Sequence, residues 1–367
     1  MKAFILKAFP DSYRQSMKLY AECLQKTLQP ILESGEQTGL YEPKRVFLSP
    51  FPLRWWSQYA DYPAQCSSLK ADIFHITDHV YSHLVRHLDP RKTIVTFHDA
   101  VGFNSKSVER RGFLKGCARQ WNLKGLAKAA RIICVSEMSK RKLLQLMDYP
   151  LERIRVIHLG IENTFFEQFS KQESLRRLGI PSGPFYILHT GHTKDHKNIP
   201  ALFHVVSILK GKIPRPFKIL KTGMPFSSEQ NLLAQKLGVA GDIRHLGLLD
   251  KDRIPDAYRC ADVLLLPSYD EGFGFPLLEA MSSSLPIVAS NRGSIPEVAG
   301  DAALLTEPDN YDEMAGKILS IALNPEVKEA LVRKGHEWVR QFRWEETARK
   351  TLSVYREIYN SNQSTRK

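Results

Sequence analysis

The sequence predicts an α/β protein made of two doubly wound domains in succession. Three observations carry this. Short apolar runs alternate with amphipathic, helix-like stretches along the chain. The apolar runs lack the strict two-residue alternation of a half-exposed strand, so they read as strands buried on both faces of a parallel sheet. The chain has 367 residues, more than one hydrophobic core usually organises.

The strand candidates in the first half are KAFILKAF, KRVFLS, ADIFHIT, KTIVTFHD, ARIICVS and IRVIHLG. In the second half they are FYILHTG, FKILKTG, DIRHLGLL, ADVLLLPS and LPIVAS. Between them lie helical patterns such as SMKLYAECLQKTLQPILES, NIPALFHVVSILKGK and SEQNLLAQKLG. Repeated strand-then-helix order puts helices on both faces of each sheet. The polar stretch IENTFFEQFSKQES, Ile161 to Ser174, marks the boundary. The expected division is 1–167, 168–345, and a last helix over 346–360 that returns to the first domain, with Trp344 and Tyr355 packing it down. The tail YNSNQSTRK reads as frayed.

Composition bounds the function. Hydrophobic residues make up 43% and charged residues 25%, as in globular proteins. No apolar run approaches the roughly 20 residues of a membrane span. The apolar block AFIL near the N-terminus is shorter than a secretory h-region and reads as a first strand. Cys23, Cys66, Cys117, Cys134 and Cys260 show no paired or metal-ligand spacing. They suggest reduced thiols and a cytoplasmic protein. The net charge is +13, with 25 basic against 16 acidic residues in 1–167. Nucleic acid, an anionic membrane or a phosphorylated substrate could each answer that charge. The stretch 106–131 is the most basic. Lys106, Arg110, Arg111, Lys115, Arg119, Lys124, Lys128 and Arg131 stand against Glu109 alone. With Phe113, Leu114, Cys117 and Trp121, it reads as a basic amphipathic helix for a membrane face, or as a solvated helix face.

In open α/β sheets, ligands sit beyond the carboxyl ends of the strands. Polar residues follow several strand candidates: His98 and Asp99, Ser136 and Glu137, His192 to Lys197, and Glu271. The stretch SYDEGFGFPLLEAMSSSLPIVAS is the most informative. A strand ends, YDEGFG turns, and PLLEAMSSS starts a helix with Pro276 at its first position. Gly272 and Gly274 permit a sharp turn with backbone amides near a ligand. A helix N-terminus favours phosphate. Glu271 and Glu279 can accept bonds from sugar hydroxyls, although an acid early in a helix is also favoured by the helix dipole alone. GSIPEV, Gly293 to Val298, is a second loop entering a helix; its amides or Glu297 could serve the same pocket or merely start that helix.

EGFGFPLLE resembles the E-x7-E motif of retaining glycosyltransferases with the GT-B fold, in glycosyltransferase family 4. TIVTFHDA, IICVSEMSK, RIRVIHLGIENTF, HTGHTKDHKN and FRWEETARKTLSVYREIY resemble family blocks in the family's order, over about residues 70–360. The resemblance implies two Rossmann-like domains facing a cleft, the acceptor side in the first and the nucleotide-sugar side in the second. It implies that Glu271 contacts the transferred sugar and Glu279 the ribose. Backbone amides around Phe273 to Pro276 would hold sugar hydroxyls and phosphate, so that Gly272, Phe273, Gly274, Phe275 and Pro276 line the donor site. Gly191 and Lys197 match the family's glycine and diphosphate-gripping lysine, while His192 stands where arginine is common. His98 would lie by the reacting centre. The family's early glycine-rich loop is absent, and Ser12, Tyr13, Arg14 and Asp99 are the candidate acceptor-side residues.

The resemblance thus implies a retaining hexosyltransferase acting on a glycan or lipid-linked acceptor, with GDP-mannose the first choice of donor. No metal or other cofactor and no nucleic-acid partner are expected. The enzyme would be cytoplasmic, with peripheral attachment to the inner face of the membrane through 106–131. A UDP-sugar donor (glucose, galactose or N-acetylglucosamine) is the alternative within the family. A non-catalytic nucleotide-binding protein, or a basic protein binding nucleic acid or membrane, is the alternative outside it.

Overall fold

Parallel strands buried on both faces need helices to cover them, and the chain supplies both in alternation. The computed structural model describes residues 1–9, 15–44, 57–100, 113–167 and 169–364. It divides into two units, Met1–Gly160 with Arg343–Lys367, and Ile161–Phe342. The division falls at 160/161 and 342/343, where the sequence reading placed 167/168 and 345/346.

The first unit holds β1 (Lys2–Leu6), β2 (Gln37–Tyr41), β3 (Ile73–Ile76), β4 (Thr93–Phe97), β5 (Arg131–Cys134) and β6 (Ile154–Val156). Among the described residues they form one parallel sheet in the order β2-β1-β3-β4-β5-β6. The second unit holds β7 (Phe185–His189), β8 (Phe217–Thr222), β9 (Ile243–Gly247), β10 (Val263–Leu266), β11 (Ile287–Ser290) and β12 (Leu304–Thr306). Their order is β12-β11-β10-β7-β8-β9, also parallel. Two doubly wound sheets are thus present, as the sequence predicts. Two strands escaped the sequence reading. QTGLY is a partly exposed edge strand with a central glycine, and LLT is three residues long. KRVFLS lies largely outside the described residues.

Strand order fixes where a ligand can enter. In the second sheet the chain runs from β7 outward to β9, then returns to β10 on the other side of β7. The crevice between the ends of β7 and β10 is therefore the switch point at which such sheets bind ligands. In the first sheet the corresponding reversal lies between β1 and β3.

The last helix, Trp344–Ser364, belongs to the first unit. Its buried face carries Trp344, Ala348, Leu352, Tyr355 and Ile358. Glu357 pairs with Arg131 at 2.6 Å and with Arg155 at 3.0 Å, and Arg356 pairs with Glu36 at 2.8 Å. Arg131 is therefore the start of β5 and holds this helix, rather than extending a basic helical face. The helix of the basic stretch runs over Phe113–Leu126. Lys106, Glu109, Arg110 and Arg111 lie outside the described residues. Among the described residues, no helix is long and apolar enough to cross a membrane.

Candidate active site

Two loops meet at the switch point of the second sheet. The first follows β7 and contains Gly191 to Asn198; the second follows β10 and contains Ser268 to Gly274. They are joined by backbone bonds from Tyr269 N–H (2.8 Å) and Asp270 N–H (3.4 Å) to the His196 carbonyl. A 3-10 turn, Asp195–Lys197, presents the Lys197 side chain. Buried Asn198 closes that turn in a left-handed conformation (φ 49°) and donates to the Pro308 carbonyl at 3.0 Å.

The result is an ion pair. Lys197 Nζ donates to Glu271 Oε1 at 2.7 Å and Oε2 at 2.9 Å. The two side chains are 12% and 9% exposed, so water screens the pair weakly. Ser268 Oγ adds a third hydrogen bond to the carboxylate, donating to Glu271 Oε1 at 2.8 Å. Ser294 Oγ shares its one proton between the carbonyls of Glu271 (3.0 Å) and Phe273 (2.9 Å), pinning the loop from its far side. Sequence reasoning named Glu271 and Lys197 but missed Ser268 and Ser294. The serine three residues before Glu271 was the available signal for one; the other lies in the Gly293–Val298 loop, where the reading fell on the amides and Glu297 instead.

The glycine turn behaves as its composition requires. Gly274 has φ 100° and caps the helix Phe275–Ser282, a conformation strongly disfavoured for a side chain with a Cβ. The helix begins at Phe275, so Pro276 occupies its second position rather than its first. Both positions tolerate proline, because no intrahelical N–H bond is lost there.

Glu279 has a different environment. It accepts a hydrogen bond from the Tyr258 hydroxyl, which also lies 3.4 Å from Thr190 Oγ1. Packing around the carboxyl raises its pKa to about 7; the Glu162 charge adds to this and the Tyr258 bond opposes it. The side chain as a whole is half-buried. Glu271 and Glu279 therefore have separate partners, one a lysine and the other a tyrosine. Tyr258 was not read from the sequence, because it lies 21 residues before the acid it touches.

His192 follows Gly191, which has φ 93°. Burial, then the charges of Lys194, Lys197, His196 and Lys221, holds the His192 ring below its usual 6.5. It is thus neutral at neutral pH and does not supply the charge of an arginine.

The remaining candidates lie in the first unit. His98 follows β4, is buried, and its Nε2 lies 2.8 Å from the Thr77 carbonyl. Its ring packs edge-on against Tyr20 at 5.2 Å. Asp99, next in the chain, is half-buried. Ser136 caps the helix Glu137–Leu146, accepting from Ser139 N–H at 2.9 Å, so Glu137 starts that helix. Ser12, Tyr13 and Arg14 lie outside the described residues.

Residues 170–338 match the family Glycosyl transferases group 1, and residues 28–165 match Glycosyltransferase Family 4. The chain is 28% identical over 269 residues to O-antigen chain mannosyltransferase B of Escherichia coli, covering 72% of this chain and 70% of that one. It is 28% identical over 243 residues to D-inositol 3-phosphate glycosyltransferase of Saccharomonospora viridis, covering 63% and 56%. Its fold superposes on sucrose-phosphate synthase of Thermosynechococcus elongatus with a TM-score of 0.79 at 19% identity, covering 98% and 100%. With two parallel doubly wound sheets and both halves matched in order, the chain belongs to the GT-B glycosyltransferases of the family 4 type.

Proposed function

We propose that this enzyme is a retaining hexosyltransferase that moves mannose from GDP-mannose to a glycan or lipid-linked acceptor. The observation that carries the reading is the Lys197–Glu271 pair at the switch point of the second sheet, beside the Gly272–Gly274 turn. The similarity to a mannosyltransferase favours the choice of sugar. Lys197 would face the donor diphosphate, and the N–H groups of Phe273, Gly274 and Phe275, beside Pro276, would donate to phosphate and sugar oxygens. Glu271 would hold the transferred sugar and Glu279 the ribose. His98 would orient the sugar by the reacting centre, with Asp99 on the acceptor side.

The reaction exchanges one bond for another. The anomeric carbon loses its bond to the diphosphate oxygen and gains one to an acceptor hydroxyl on the same face. The hydroxyl proton goes to the departing diphosphate. No side-chain nucleophile is required. Positioning and stabilisation of charge on the leaving group lower the barrier, and lysine with backbone amides takes the place of a metal ion.

A peripheral membrane partner has one specific observation in its favour. Trp121 is 44% exposed on the helix Phe113–Leu126, and Lys124 and Lys128 are exposed near it. Such a mixture suits an anionic bilayer surface. Co-sedimentation with vesicles containing anionic lipid, lost in Trp121→Ser, checks it.

The deciding experiment is a thermal-shift screen against GDP, UDP, ADP and their common sugar conjugates. A ligand that binds only the folded state raises its apparent stability. Stabilisation by GDP and GDP-mannose supports the reading. Stabilisation by UDP instead moves the donor to UDP-glucose, UDP-galactose or UDP-N-acetylglucosamine. No shift with any nucleotide at millimolar concentration sinks it.

A further inference from the structure

Lys221 is a lysine with no exposed surface, placed in β8 one residue before the strand ends. Its ammonium donates to the Gly191 carbonyl at 2.7 Å and to the Thr222 carbonyl. Gly191 opens the loop that carries His192 and Lys197. Lys221 therefore grips the base of the loop from the neighbouring strand, and no carboxylate faces it at bonding distance among the described residues. The Phe226 ring lies 5.8 Å away.

A buried cation with only two carbonyls as partners is expensive. The Lys197 charge raises the cost further, and the other neighbours do not bring a carboxylate to bonding distance among the described residues. In β7 its register partner is His189, fully buried, with Nδ1 3.1 Å from the Leu265 carbonyl. Nδ1 must be the protonated nitrogen, since a carbonyl only accepts. That leaves Nε2 as a buried lone pair with no bonding partner among the described residues. In β9 its register partner is the exposed His245. The loop after β7 brings His192, Lys194, His196 and Lys197, and the loop after β10 brings Asp270 and Glu271, the latter already engaged by Lys197. The surroundings are short of negative charge, and the obvious missing partner is an anion at the loop itself.

We propose that Lys221 supplies the second positive charge of the donor diphosphate site, acting through the Gly191 turn that its ammonium holds. The proposal rests on the donor reading above and adds to it a residue that replaces the cation His192 does not provide. Lys221 is a positioning residue, since it reaches the ligand through the turn. Burial, aided by Lys197, pushes its pKa down to about 7. An arriving diphosphate raises that value again. Binding near pH 8 is then accompanied by uptake of a proton at Lys221, approaching about 0.9 per site for a group starting near pKa 7.

The test is isothermal titration of the full chain with GDP and with UDP near pH 8, in buffers of different ionisation enthalpy. This counts protons directly. Glu279 also titrates near neutrality, and a diphosphate can return a proton to His192, so Glu279→Gln and His192→Asn are measured in parallel and are each expected to retain the uptake at Lys221. Lys221→Gln keeps an amide donor on that side of the turn but carries no charge. It is expected to lose the uptake and to bind on the order of tenfold more weakly. If Lys221→Gln binds with wild-type affinity and uptake, the lysine only clamps the loop and the proposal fails alone. Wild-type binding without proton uptake overturns it without any variant. Failure of the wild-type chain to bind either nucleotide overturns the donor reading, and this proposal with it.

Discussion

Lys197 Nζ lies 2.7 and 2.9 Å from the two carboxylate oxygens of Glu271, in a site where both side chains are nearly enclosed. Truncating one partner leaves the other buried and unpaired, which costs several times what the pair itself contributes. Lys197→Met and Glu271→Gln should each destabilise the second unit, by about 2–4 kcal/mol for Lys197→Met and less for the neutral Gln. The double variant should recover much of that loss. Turnover should not recover: each single change should lower kcat by roughly 100-fold or more, and the double variant should stay as low. Urea unfolding and steady-state assays, run on all four proteins, separate the two roles. A double variant that regained activity would show that the pair is only structural.

Charge stabilisation by Lys197 and backbone amides makes a further expectation. Prolonged chelation with EDTA should leave transfer within about twofold of the untreated enzyme, and added magnesium or manganese should not raise it. Loss of activity on chelation, restored by a divalent cation, would remove lysine from its assigned role.

Glu279 gives a pH dependence whose sign can be fixed. Its folded pKa is raised from 4.5 to about 7, chiefly by burial. Between these values the folded chain binds more protons at this site than the unfolded chain does. Stability at this site is therefore greatest below pH 4.5 and falls as pH rises towards 7. The loss amounts to about 1–3 kcal/mol, reduced by the partial exposure of the side chain. Glu279→Gln keeps an acceptor for the Tyr258 hydroxyl but cannot ionise. It should be more stable than the wild type above neutrality and should lack this part of the slope. Chemical unfolding at a series of pH values checks it; parallel curves for the two proteins would refute the assignment.

The parts of the site that could be read in advance are those where function is written within a single loop. Gly272, Gly274 and Pro276 punctuate the step from β10 to the next helix, and Glu271 stands in that punctuation. Lys197 sits in a short polar run after β7 and was equally legible. Lys221 was not, because FKILKT looks like an ordinary strand and the carbonyl it holds is 30 residues away. Tyr258 and Ser294 act across similar gaps. Parallel strands bring such residues together through crossover connections, and hydrophobic periodicity reports only which face a residue occupies. The same limit hid β2, whose partly exposed surface gives no apolar run.

The last helix is fastened by a polar chain that offers a clean test of the first unit. Tyr355 OH lies 2.7 Å from His75 Nδ1, His75 Nε2 lies 2.7 Å from Thr96 Oγ1, and Thr96 Oγ1 lies 3.1 Å from Tyr20 OH. All four side chains are buried. Burial, with a smaller push from His98, lowers the His75 pKa to about 3, so the ring is neutral and one nitrogen donates while the other accepts. Tyr355→Phe keeps the packed ring but leaves Nδ1 without its partner. The cost should be about 1–3 kcal/mol, that of an unsatisfied buried polar group. Tyr355→Phe combined with His75→Phe removes the polar atoms from both ends of that bond, though it leaves Thr96 to bond Tyr20 alone. It should therefore cost less than the sum of the two single changes. Because a chain of two units can unfold in two steps, the measurement is hydrogen exchange at the amides of β3, β4 and the last helix. Faster exchange confined to those elements in Tyr355→Phe is the expected result. Unchanged exchange there would mean that the apolar packing of Trp344, Leu352 and Ile358, with the ion pairs of Arg356 and Glu357, holds the helix in place without the polar chain.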